Sequence, residues 1–500
     1  MIAIAAVPLF SVLVPPMGDY PNHLARLHIL ARIGQSPALQ RLYEVHWQVA
    51  PYVGMDALGV ALARLMPIYT VGRLLVLLVM ALFLFGAVLL HRAFFGRISG
   101  WPLLAGLFLY SYPLHVGLVP YLLAAALAVI GYAVWVQAAR WPAAVRIAAT
   151  ASAATAVYFC HYYGVVVLGI CIAGHEVACW WAAGRSRHDL LHRIAQMGLA
   201  FLPPAALVMA VTGEAAGGAT HYDPWLLHLQ GMVSATLFPG SRFDMAILVF
   251  AIGAIAAGLA TRRLEVARPV WLPVIVMMGL TLVLPGAPFG LWGMQFRFPV
   301  VAAVVLAAAI RPRAWGWPEQ VAAGLAGLLF LGHVGTIAAS WRSSDVQYRE
   351  LRAALAAIPV GARLLPVRVI EGLDRKVPRG PLFGWVHMPA LAVIERDAFL
   401  PNLHKQPMMT VQATPATIRI SPREGLPPTG EMLWFGAQIR VAPWQLPVDE
   451  RGQVAYWIDW PHQFDVAMAL DFGSRAALPP ALRLLHRGSF FSLYRVVPSD

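Results

Sequence analysis

Charge is the scarcest property of this 500-residue chain: Asp, Glu, Lys and Arg make up only 12% of it, about half the share found in soluble globular proteins. So little charge cannot furnish a water-facing surface, and an ordinary soluble protein is excluded. Cysteine is rarer still, with three residues in the whole chain, which excludes a secreted disulfide scaffold. Lysine occurs only at Lys376 and Lys405, and asparagine only at Asn22 and Asn402, neither in a glycosylation sequon. Both residue types have AT-rich codons, so their scarcity indicates a GC-rich genome and a bacterial inner membrane. The same bias strips the preference for arginine over lysine of functional weight. What is abundant is apolar: 59% hydrophobic residues, 11% aromatic, and a mean hydropathy of +0.66. That content rules out disorder. The chain reads as a polytopic membrane protein.

A crossing needs about 20 apolar residues, because a helix rises 1.5 Å per residue and the hydrocarbon core is about 30 Å thick. Charge-poor stretches fall at 71–90, 101–139, 147–183, 195–212, 245–260, 269–285, 298–310 and 319–339. A shorter one, 1–14, precedes Pro15 and Pro16. It lacks a basic start and a small-x-small cleavage pattern, so it reads as a short first span rather than a signal peptide. At roughly 40 residues, 101–139 and 147–183 are each twice too long for one crossing and must turn. The turns are expected at Pro113 to Pro120 and at His161 to Gly164. The predicted fold is mainly α, a polytopic helix bundle of about 11 spans with a C-terminal exoplasmic α/β domain.

Arginine sets the orientation. The loops after even-numbered spans hold Arg92, Arg97, Arg140, Arg146, Arg185, Arg187, Arg193, Arg262, Arg263, Arg268, Arg311 and Arg313. Those after odd-numbered spans, the long first loop aside, hold only Arg242 and Arg297. The positive-inside rule places the even loops in the cytoplasm. The net charge of +13 is then mostly a topology signal, and no nucleic-acid partner is implied. Everything after about residue 340 is expected outside. The division is a transmembrane domain, 1–340, carrying a large first exoplasmic loop at 15–70, and a periplasmic α/β domain, 341–500. In the latter, Asp345 to Ile358 has the spacing of an amphipathic helix. The runs 363–370, 416–420, Phe464 to Phe472 and Phe490 to Val497 read as strands.

The first loop opens VPPMGDYPNHLARLHILARIG from Val14. A helix starting at Asp19, with Pro21 in its first turn, brings His23 and then Arg26 onto one face. An acid, an imidazole and a guanidinium then meet at the lipid–water boundary. Two readings of Asp19 stand together: an N-cap for the helix, and a catalytic carboxylate. His23 and Arg26 read either as ligands or as a solvated face. Arg297 lies in FGLWGMQFRFPVV, an otherwise apolar run. It is either a functional cation near hydrocarbon or an interfacial snorkeller beside Trp292. His161, with Tyr162 and Tyr163, occupies a tight outer turn and reads as a phosphate or sugar ligand or as part of an aromatic belt. Glu176 and His175 lie deeper, where a carboxylate is expected to pair with a neighbouring helix. The aromatic run Tyr456 to His462 is either core or a sugar-stacking surface.

An aspartate just after the first span, a long exoplasmic loop with two interfacial helices, about a dozen spans and an exoplasmic C-terminal domain together resemble the GT-C class of membrane glycosyltransferases. The stretches YSYPLHVGLVPYLLAAAL (110–127) and FCHYYGVVVLGI (159–170) are similar to the entries of the fourth and sixth spans in bacterial members. The resemblance covers residues 1–340. It implies transfer of a sugar from a polyprenyl-phosphate donor in the membrane lipid to a glycan, lipid or protein acceptor, by inversion, with Asp19 as general base. His23, Arg26, His161, Tyr163 and Arg297 are then the expected substrate-binding residues. The sequence departs from the class in two places. Tyr20 follows Asp19 where many members carry a second acid, and residues 111–119 contain no acid to bind a divalent metal. Glu214, Asp223 and Asp244 are the nearest substitutes, so no cofactor is assigned and a metal requirement is left open. Two other classes compete: a transporter or flippase, for which Glu176 is the main feature, and a noncatalytic envelope-assembly protein.

Overall fold

Leucine and alanine lose little on entering a helix, and with valine they satisfy the bilayer at the same time. The computed structural model describes residues 1–211, 220–236, 242–288, 292–369, 385–403, 411–420, 427–438, 455–472 and 477–498. Among them, seven helices are long and apolar enough to cross a membrane: Ile68–Phe95, Val119–Arg140, Ala143–Cys160, Tyr162–Ala182, Arg187–Ala210, Arg242–Ala260 and Trp317–Ala357. Four shorter apolar helices join them, at Ile2–Ser11, Val53–Ala63, Arg268–Val283 and Met294–Ala308. The protein is a polytopic membrane helix bundle with a C-terminal domain.

The stretch expected to make the third crossing is built differently. It forms a 3₁₀ helix, Trp101–Phe108, followed by a short helix, Tyr112–Val116. At about 2 Å per residue the first piece reaches about 16 Å, too short for the hydrocarbon core. Pro102, Pro113 and Gly117, the last left-handed at φ 89°, interrupt what would otherwise be one span. The expected turn at His161 is present, one helix ending at Cys160 and the next starting at Tyr162.

The chain divides into two compact units. The first comprises Met1–Phe10, Val49–Met55 and Arg73–Ala339. At its centre lies the helix beginning at Val119, 78% of whose most apolar window is buried, against 11% for the helices starting at Arg187 and Arg242. Small residues allow that centre. A Cβ on Gly164 would lie 2.6 Å from the Ala124 Cβ, so glycine permits the Tyr162 helix to approach the Val119 helix closely. Glu176 is paired: one carboxylate oxygen accepts from Trp135 Nε1 and Arg146 Nη2, both at 2.7 Å, and the other meets Arg193. Asp244 is likewise buried against His333 at 3.0 Å.

The second unit comprises Ser11–Gln48, Asp56–Gly72 and Ser340–Asp500. Its sheet has the strand order Leu364–Arg368, Val466–Leu470, Phe491–Val496, Leu482–Arg487. The first pair is parallel and the others antiparallel. Val466–Leu470 is buried along its whole length, as an interior strand should be. The run 416–420 is not a strand: residues Ile418–Ile420 form a 3₁₀ turn, and the strand of this region is Val411–Ala413. That strand pairs antiparallel with Tyr43–Val45 of the first loop. Tyr43 tightens the junction, its hydroxyl donating to Ala398 O at 3.2 Å and accepting from Leu400 N–H at 2.8 Å. The helix Tyr20–Arg32 packs on Leu391–Arg396, with Leu24, Leu27, Leu391, Ala392 and Val393 buried. The amphipathic piece at Asp345 is the final part of one continuous helix, Trp317–Ala354.

Candidate functional site

Proline at the second helical residue starts the Tyr20–Arg32 helix and leaves Asp19 at its N-cap position. A capping aspartate adopts extended backbone and turns its carboxylate onto the free amides of the first turn. Asp19 does neither: its backbone is helical (φ −79°, ψ −5°) and its side chain makes no capping hydrogen bond. Its Oδ1 lies 3.3 Å from Nε2 of His387. The other imidazole nitrogen, Nδ1, is 2.7 Å from Asn22 Nδ2. Asn22 sits three residues beyond Asp19, on the same face of the helix. Its amide nitrogen also donates to the Asn402 carbonyl at 3.3 Å, and Tyr456 donates to Asn402 Oδ1 at 2.9 Å. Most of the aromatic run is core: Tyr456, Ile458 and Trp460 are buried, while Trp457 is half-buried and His462 exposed, and burial pushes the Tyr456 hydroxyl well above its ordinary pKa, so it stays a neutral donor.

The other residues expected near Asp19 have different surroundings. His23 is buried on the same helix. Arg26 is fully buried and gripped by Asp56, whose Oδ1 accepts from Nη2 at 2.7 Å and from Nε at 3.2 Å. Neither residue forms a solvated face.

A second cluster lies in the first unit. Arg297 is 5% exposed. Its guanidinium stands over the rings of Tyr121, at 4.9 Å, and Tyr163, at 5.3 Å. Nη2 donates to Trp292 O at 3.1 Å, while Nε and Nη1 are buried with no hydrogen-bond partner among the described residues. The Tyr121 hydroxyl donates to the Arg297 carbonyl at 2.5 Å and fixes the backbone that carries the cation. His161 caps the Tyr162 helix, its Nδ1 accepting from Tyr163 N–H at 3.1 Å. In the neutral ring the proton therefore sits on Nε2. The imidazole stacks on Tyr163 at 5.5 Å and meets Tyr52 and Tyr121 edge-on at 4.8 and 5.6 Å. Arg297, Tyr163 and His161 thus share one aromatic-lined neighbourhood.

The solved structures similar to this chain include two proteins, one of them in two states. Arabinofuranosyltransferase AftD from Mycobacteria is 15% identical with a TM-score of 0.49, over 100% of this chain and 40% of AftD. This chain accordingly spans less than half the length of that protein. ArnT from Cupriavidus metallidurans, bound to undecaprenyl phosphate, is 12% identical with a TM-score of 0.44, over 98% of this chain and 96% of ArnT. The same protein in its apo state gives 12% and 0.46, over 98% and 95%. No family model and no curated protein sequence matches the chain.

A metal finds no built site among the described residues, where no group of three or more His, Cys, Asp or Glu side chains converges. Asp223 is engaged by Gln295 Nε2 at 2.8 Å and Asp244 by His333. Glu214 lies outside the described residues. No chemical step is therefore assigned to a metal. What the two clusters offer is a carboxylate at a helix start that lies 3.3 Å from an imidazole, and a buried cation with two unmatched donor atoms among the described residues. Sequence reasoning missed His387, which no local pattern connects to Asp19. Tyr121 is legible in hindsight as a lone polar ring opening an alanine-rich helix.

Proposed function

We propose that this chain is a membrane glycosyltransferase, moving a sugar from a polyprenyl-phosphate donor to an envelope glycan, lipid or protein at the periplasmic face of a bacterial inner membrane. The observation that carries the reading is Arg297. Burying a guanidinium with two donor atoms unmatched is costly unless an anion completes it. Phosphate suits these donors, because a planar guanidinium binds it in bidentate fashion. Tyr163 borders the same cation and His161 stacks on Tyr163; in this reading both complete the phosphate-binding group. The arginine distribution supports a periplasmic location for the C-terminal domain.

In this reading Asp19 is the general base. It takes the proton of the acceptor hydroxyl as that oxygen attacks the anomeric carbon from the face opposite the phosphate. The anomeric C–O bond breaks, its electron pair leaves with the polyprenyl phosphate, and the configuration inverts. Arg297 neutralises the charge left on the phosphate. Arg26 serves through Asp56, holding the Tyr20–Arg32 helix, and His23 packs that same helix. Glu176, the main feature of the transporter reading, has its charge committed to Arg146 and Arg193.

Undecaprenyl phosphate binding to the purified protein in nanodiscs tests the central point. Arg297→Lys keeps the charge but not the fork and should weaken binding about tenfold, with Arg297→Met weaker still. Unchanged affinity in folded Arg297→Met refutes the phosphate assignment. Mass spectrometry of envelope glycans, with and without the protein, identifies the sugar and the acceptor.

A further inference from the structure

A fully buried side-chain amide needs partners on both its nitrogen and its oxygen, since each lost water contact costs free energy. Gln295 is 0% exposed and has only half of them. Its Nε2 donates to Asp223 Oδ2 at 2.8 Å, while Oε1 is buried with no hydrogen-bond partner among the described residues. Chemistry fixes the orientation: a carboxylate accepts, so the amide atom facing it is the nitrogen and the unmatched atom is the oxygen. Gln295 thus presents an acceptor in the first compact unit, two residues before the unmatched donors of Arg297. Both side chains stand on one braced turn. The Gly293 and Met294 N–H groups donate to the Gly286 carbonyl at 2.9 and 3.0 Å. The Ser234 hydroxyl donates to Phe296 O at 3.2 Å, and Tyr121 to Arg297 O. Asp223 is braced as well. His221 and Ala287 exchange backbone hydrogen bonds at 3.1 and 3.2 Å. The Asp223 carboxylate rests on Gly286, where a Cβ would come within 1.8 Å of Oδ2. Asp223 is half-buried, and the rings that flank it in sequence, Tyr222 and Trp225, are exposed.

We propose that Gln295 and Asp223 form the hydroxyl-binding subsite for the sugar carried on the polyprenyl phosphate. One sugar hydroxyl donates to Gln295 Oε1. A carboxylate has about four lone-pair sites, so Asp223 accepts from an adjacent hydroxyl while it holds the Gln295 amide. Tyr222 and Trp225 supply amphipathic ring faces of the kind that sugar C–H groups pack against. The inference rests on the reading of Arg297 as the phosphate ligand, since the turn they share brings the sugar end of the donor to Gln295.

Binding to the full-length protein in nanodiscs separates the sugar from its anchor. The probes are undecaprenyl phosphate, bare or bearing glucose, mannose or arabinose, each of which carries adjacent free hydroxyls. The wild type should bind at least one sugar-bearing lipid about tenfold more tightly than the bare one, the worth of one or two hydrogen bonds. Gln295→Leu, close in size but without the amide, should abolish that advantage and leave bare undecaprenyl phosphate binding within about twofold. Asp223→Ala should reduce the advantage about threefold or more, whereas Asp223→Asn, whose carbonyl still accepts, should keep it within about threefold. A wild type that prefers none of the sugar-bearing lipids, or an intact advantage in Gln295→Leu, overturns the subsite. An equal loss for bare and sugar-bearing lipids also overturns it, because the turn then serves the phosphate alone. Should Gln295→Leu fail to fold, folded Asp223→Ala decides, and an undiminished advantage there is the overturning result. Arg297→Met separates the two levels. Unchanged affinity for bare undecaprenyl phosphate there removes the phosphate reading itself, whereas weakened affinity there with an intact advantage in Gln295→Leu removes only the sugar subsite.

Discussion

Arginine at position 26 shows how one partner changes what a side chain is for. Arg26 and Asp56 are 0% and 1% exposed, and at 2.7 Å each charge compensates the other. Removing one partner of such a pair typically costs about 3–5 kcal/mol, whereas replacing both with apolar residues of similar size is close to neutral. Asp56→Ala should therefore lower the melting temperature in detergent sharply. The Arg26→Met/Asp56→Leu double variant should recover most of the loss. A single variant as stable as the wild type would show that Arg26 has another anion to bind. From sequence, Arg26 was legible as sharing a helix face with His23. Its burial was not, since Asp56 lies 30 residues on in another helix.

Between helices, contact distance is set by the smallest residues. The Gly164 position would bring a Cβ to 2.6 Å from Ala124 and 2.7 Å from Val157. Those neighbours are a helix residue and a branched side chain, neither of which retreats cheaply. Gly164→Leu should destabilise by about 1–3 kcal/mol. It should also weaken undecaprenyl phosphate binding, because Tyr163 and His161 are carried by the same helix start. Intact binding in a destabilised protein would show that the aromatic neighbourhood does not depend on this packing. The apolar runs announced most helices correctly because length and hydrophobicity act locally. They failed at Trp101–Phe108, where prolines and a left-handed glycine shortened the element, and at Leu482–Arg487, a strand broken by a bulge between Leu484 and His486. There the alternation that marks a strand is lost.

Across the whole molecule, topology is the property most exposed to test. On the proposed orientation, alkaline phosphatase fused after residue 500 should be active, and fluorescent protein inserted near Arg140 should glow. The reverse pattern places Asp19 on the cytoplasmic side and removes the periplasmic reaction.

Composition and charge order alone determined that this is a multi-pass membrane protein and where most of its helices fall, and local sequence marked Asp19, His161, Tyr163 and Arg297 for attention. These are properties of neighbours in the chain, and bilayer thickness converts them directly into structure. Only the tertiary fold decided that the first loop pairs its Tyr43–Val45 strand with Val411–Ala413, that Asp56 captures Arg26, and that His387 faces Asp19. Each of those contacts joins segments whose separation leaves no period or spacing to read. They exist because buried strands and charges must find partners wherever the chain brings them.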